Sequence, residues 1–95
     1  MTQIEDARVR AYRRAQMAMA ELKSATHELL CSAGADGLSN SQVGRSLGIY
    51  QGHVGHQGHI SRTVLQMLQA DGVIEQDGPR GRWRLRTSTD SGEES

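Results

Sequence analysis

The chain has one cysteine, one lysine and three aromatic residues (one Trp, two Tyr) among 95 positions, and no long apolar run. A single cysteine, Cys31, excludes an internal disulfide and points to a reducing interior. Its helical surroundings make it a small buried hydrophobe. No stretch approaches the roughly 20 apolar residues of a membrane span, and the early acids Glu5 and Asp6 argue against a secretion signal. A catalytic constellation is missing too. The glycines form no GxxxxGKS/T phosphate loop, and Cys31 has only His27 near it in sequence, a histidine that reads as surface or partly buried. A chain this small has little room for a substrate pocket beside its core. The expectation is one soluble domain, cytoplasmic and nucleoid-associated, with no enzymatic activity and no cofactor.

Net charge is also zero, but its distribution is uneven. Residues 1–37 balance five bases with five acids, whereas residues 38–86 hold six arginines against Asp71, Glu75 and Asp77. Residues 87–95 carry Asp90, Glu93 and Glu94 and no base. A basic middle and an acidic end are therefore hidden in a neutral sum. Ten of the eleven bases are arginine, whose planar fork suits phosphates and guanine edges.

From Ile4 to Ala33 there is no glycine or proline, and Ala, Met, Leu, Arg and Glu dominate, which favours helix. Tyr12, Ala15, Met19, Leu22, Thr26, Leu29 and Ala33 recur at steps of three and four, giving one mostly apolar face. One long helix fits, as do two with a break near Ser24. Gly34 and Gly37 stop the pattern. Ser39 is then placed as an N-cap with Gln42 at capping-box spacing, opening a short helix over 39–47. Val43 and Leu47 are its buried pair, and Gly44 inside it predicts a close helix crossing. A third helix is predicted over 59–71, with Ile60, Val64, Met67 and Leu68 as its apolar face. Val73 to Gln76 begins a strand, Asp77-Gly78-Pro79-Arg80-Gly81 is turn chemistry, and Arg82-Trp83-Arg84-Leu85-Arg86 returns as a second strand. Alternation in that strand puts three guanidinium groups on one side and Trp83 and Leu85 on the other. Residues 87–95 have nothing to bury and read as a disordered acidic tail.

This order of elements resembles the winged helix-turn-helix family of DNA-binding proteins. The resemblance rests on the stretch LSNSQVGRSLGI at 38–49, the stretch LQMLQADGVIE at 65–75, and the ending GRWRL. It covers residues 22–86 and implies a mainly α fold with a small β-hairpin, in which 59–71 is the recognition helix and 76–86 the wing. In such proteins a helix added at the front, here residues 1–21, often makes a homodimer. The chain departs from the family in the turn between the second and third helices. That turn usually takes about three or four residues, and here holds the glycine- and histidine-rich YQGHVGHQG.

On this reading Arg62 and Gln66 read bases in the major groove, because arginine matches guanine and glutamine matches adenine bidentately. His59 and Gln69 share their stripe. Backbone contacts are expected from Ser39, Ser41 and Arg45 on the second helix, from His53 and His56, and from Arg80, Arg82, Arg84 and Arg86 on the wing. The plainer readings are a solvated helix face, serine capping, and arginines that protect an exposed strand edge. Gly52-His53, Gly55-His56 and Gly58-His59 repeat every three residues. No cysteine or carboxylate lies among them to complete a metal-ligand set, so no metal is expected. Phosphate gripping and a locally bonded turn both remain open there. The leading expectation is a sequence-specific double-stranded DNA-binding protein, a transcriptional regulator or a phage- or defence-linked DNA binder. The alternatives are a winged-helix protein-docking module and the DNA-targeting subunit of a nuclease or modification system.

Overall fold

The structure, a computed structural model, describes residues 3–50 and 58–86. His53, His56 and the acidic segment 87–95 lie outside the described residues. In chain order the elements are α1 (Gln3–Ala33), a 3-10 turn (Gly34–Asp36), α2 (Asn40–Ser46), α3 (His59–Ala70), β1 (Ile74–Gln76) and β2 (Trp83–Leu85). The protein is mainly helical with one small antiparallel hairpin. No described helix is long and apolar enough to cross a membrane.

The absence of helix breakers from Ile4 to Ala33 produces one unbroken helix of 31 residues, with no interruption near Ser24. At 1.5 Å per residue it is about 46 Å long. Among the described residues its buried positions lie in the C-terminal half. Leu30 is fully buried, and Leu22 and Leu29 rest against the core. Thr26 is fully buried in the same stripe, and its hydroxyl donates to the Leu22 carbonyl at 2.8 Å. A buried polar group is tolerated when it is bonded in this way. Towards the N-terminus the stripe runs off the domain, and Tyr12 is 67% exposed.

The three helices and both strands feed one small core. Leu30 comes from α1, Val43 from α2, Val64, Leu65 and Leu68 from α3, Ile74 from β1 and Trp83 from β2. The register pairs Ile74 with Leu85, Glu75 with Arg84 and Gln76 with Trp83. Leu38 adds an antiparallel bridge to Trp83, with N–H to O distances of 2.8 and 2.7 Å in the two directions. The hairpin is thereby fastened to the segment that joins α1 to α2.

Two expected core positions are corrected. Cys31 is exposed. Leu29, Leu30 and Ala33 turn towards the core, and Cys31, one step after Leu30, lies on the far side of α1. Ile60 is 45% exposed, whereas Leu65 is completely buried. The face that α3 buries is Ser61, Val64, Leu65 and Leu68, rotated from the one marked by its apolar residues. Its phase is set partly by a serine, which hydrophobicity alone passes over.

The expected close helix crossing at Gly44 is present. A Cβ on Gly44 would lie 2.8 Å from the Tyr50 ring and 2.9 Å from the Ser61 hydroxyl. Gly44→Ala gains about 1 kcal/mol of helix propensity but overpacks the crossing at a cost of about 1–3 kcal/mol. The expected outcome is a net loss of stability, read as a lower midpoint in urea. A raised midpoint would mean that the crossing has slack.

Candidate functional site

Ser39 caps α2 through a complete capping box. Its hydroxyl accepts the Gln42 amide at 3.1 Å, and the Gln42 side chain accepts the Ser39 amide at 2.8 Å. The hydroxyls of Ser39 and Ser41 are 3.2 Å apart on the same edge. The first turn of α2 is therefore fixed by local chemistry that its sequence specifies.

The start of α3 is fixed from a distance. Asn40 Nδ2 donates to the Gly58 carbonyl at 3.1 Å, and the Ser61 hydroxyl donates to Asn40 Oδ1 at 2.8 Å. The same Gly58 carbonyl accepts the Arg62 amide at 3.0 Å as the first turn of α3. Gly58 has φ of 83°, the left-handed region that glycine enters freely. A side chain there would also meet Asn40 and Tyr50 at 2.6 Å. Asn40, Gly58 and Ser61 form a polar clasp between α2 and α3, and Ser61 within it is wholly buried. Arg62 is the next residue, so the clasp sets where its side chain begins.

Beyond this clasp α3 presents His59, Arg62, Gln66 and Gln69, all exposed. Their steps of three, four and three keep them on one stripe. Across from it stands the hairpin tip. The Gln76 amide donates to the carbonyls of Gly81 at 3.1 Å and Pro79 at 3.3 Å, bracing the turn that carries Arg80. Between the two lies an open cleft of about 570 Å³. Its lining includes Ser39 and Ser41 from the start of α2, Arg62, Gln66 and Gln69 from α3, and Arg80 from the hairpin turn. Two arginines line it, and no described lining residue is acidic.

The remaining expected contacts fall elsewhere. Alternation in β2 holds as expected, with Trp83 buried, but it carries the arginines away from the cleft. Gln76 and Trp83 are paired and line the cleft, so the opposite face bears Glu75 and Arg84, with Arg82 and Arg86 in the same phase. Arg84 was expected to be available to phosphate and is instead engaged within the hairpin. Its guanidinium meets Glu75 at 3.0 Å and also pairs with Asp77. Hydrogen bonding to Asp77, reinforced by the charges of Asp77 and Glu75, pushes the Arg84 pKa up from the ordinary arginine value. The cause is the register, which sets Arg84 directly across from Glu75. Arg82 and Arg86 are exposed and make no ion pair among the described residues. Arg45 lies over the Tyr50 ring, 4.9 Å from its centre. His59 is exposed at the start of α3, and no metal-binding group of three His, Cys, Asp or Glu occurs among the described residues.

Sequence reasoning missed Asn40, Ser61 and Tyr50 as the parts that orient α3. Ser61 carried a signal, as a small polar residue at the centre of a helical face whose other members are apolar. No protein-family model, curated protein or solved structure matches this chain.

Replacing Ser61 with Ala removes the donor to Asn40 Oδ1, a half-buried acceptor. The expected cost is about 0.5–1.5 kcal/mol of stability, with faster hydrogen exchange at the Arg62 amide. Unchanged exchange there would show that the clasp does not hold the start of α3.

Proposed function

We propose that the protein is a winged helix-turn-helix DNA-binding protein that grips double-stranded DNA through the cleft between α3 and the hairpin tip. The observation that carries this reading is the convergence of Arg62, Gln66, Gln69 and Arg80 on one concave surface with no acid among its described lining residues. Arg62 and Gln66 are the base readers in the major groove. His59 flanks them on α3, and Gln69 continues the stripe. Ser39 and Ser41 meet a phosphate at one end, and Arg80 meets the backbone or minor groove at the other. Arg82 and Arg86 add charge from the hairpin's outer face, and Arg45 from beside Tyr50. Regulation of transcription is the role such a site most simply serves.

A second copy completes the assembly in this reading. The stripe Tyr12, Ala15 and Met19 continues the packed face of α1 beyond the domain. Pairing it with its counterpart would bury the exposed tyrosine and bring two clefts to one duplex. Sedimentation equilibrium is expected to give a dimer at micromolar concentration and a monomer for Tyr12→Glu. A monomer for the unaltered chain would remove α1 from the assembly.

Fluorescence anisotropy with duplex DNA tests the main reading. About four phosphate contacts give a log–log salt slope of about −3 to −5 between about 50 and 200 mM salt. Arg62→Ala is expected to cost about 1–3 kcal/mol at one preferred base pair and little elsewhere. Arg80→Gln should weaken all sequences alike, and more than Arg84→Gln, although each removes one charge. Equal effects from these last two would place DNA on the other face of the hairpin, and no binding at the lower salt would end the proposal.

A further inference from the structure

We propose that residues 87–95 of this same chain dock in the α3–hairpin cleft and compete there with nucleic acid. The chemistry of the cleft comes first. Arg62 and Arg80 supply positive charge, while Gln66, Gln69, Ser39 and Ser41 supply neutral hydrogen-bonding groups, with no carboxylate among the described lining residues. Such a surface suits an extended polar segment that bears acids and needs no apolar anchor. Residues 87–95 read TSTDSGEES, with Asp90, Glu93 and Glu94, no base and no large apolar side chain.

Position and reach agree with this. The segment follows Arg86, whose amide donates to the Val73 carbonyl at 3.0 Å. The Val73 amide in turn donates to Leu68 at 3.2 Å, and the Gly72 amide to Gln69 at 2.9 Å. The segment therefore starts beside the C-terminal end of α3, where the polar stripe begins at Gln69. From Gln69 to Arg62 is seven helical residues, about 10 Å. Nine extended residues reach up to about 30 Å, so Glu93 and Glu94 can meet Arg62 while Asp90 lies near Gln69. The outer face of the hairpin carries Arg82 and Arg86, unpaired among the described residues, but also the carboxylates of Glu75 and Asp77, which hold Arg84 and repel an acidic segment, whereas no described lining residue of the cleft is acidic.

Competition rests on the nucleic-acid reading, whereas docking does not, and the test separates them. Arginine Nε–Hε resonances are compared between the full chain and a full-length variant carrying Asp90→Asn, Glu93→Gln and Glu94→Gln. At about 20 mM salt the Arg62 and Arg80 signals are expected to differ between the two proteins, and at about 300 mM to coincide, because screening removes the contact. Arg10 and Arg14 on α1 should not move. The neutralised variant should also bind duplex DNA about threefold to tenfold more tightly at the lower salt. Identical Arg62 and Arg80 signals, or equal changes on α1, would overturn docking even if DNA affinity rises, leaving only general repulsion. Shifted signals with no DNA binding by either protein would keep the docked segment, overturn its competition with DNA and defeat the nucleic-acid reading.

Discussion

Two backbone hydrogen bonds between Leu38 and Trp83 hold the hairpin in its place. Trp83 also drives its ring into the core beside Leu30, Val43 and Leu65. The hairpin is only two three-residue strands, and a ribbon of that size has little stability of its own. Seating its indole in the core and tying its backbone to the link before α2 gives it a fixed position opposite α3. The cleft exists because of that attachment. A hairpin joined only through β1 would have no reason to bring Arg80 towards Arg62.

Charge is then sorted by strand register. Glu75 and Arg84 face each other on the outer side, and Asp77 joins them, so Arg84 is neutralised there while Arg82 and Arg86 stay unpaired among the described residues. On the inner side Gln76 spends its amide on the turn and Arg80 projects from the tip. The chain's arginine surplus thus reaches the concave surface through two residues and not through the alternating run that is conspicuous in the sequence.

Local rules made several parts of this legible. The Ser39–Gln42 capping box, the helix stop at Gly34, the turn at 77–81 and the burial of Trp83 are each decided within a few residues of chain. Gly44 was legible because a glycine inside a short helix needs a spatial reason. What escaped was decided across the chain. Ser61 and Asn40 are separated by 21 positions, so no periodicity links them, yet their bond helps set the rotation of α3 and leaves Ile60 outside the core. Arg84 read as free to meet phosphate because its partners, Glu75 on β1 and Asp77 in the turn, lie across the hairpin. Cys31 shows that a lone cysteine in an apolar helix follows the helix phase and not its own hydrophobicity.

The clasp has a consequence for the glycine- and histidine-rich stretch between the second and third helices. One end of that stretch is moored where the Ile49 amide meets the Gly44 carbonyl at 2.8 Å, and the other where Asn40 and Ser61 hold Gly58. With both moorings set by α2, the direction in which α3 sets out is fixed by Asn40, Gly44, Gly58 and Ser61. Arg62 therefore takes its heading from contacts that lie within α2 and the first turn of α3.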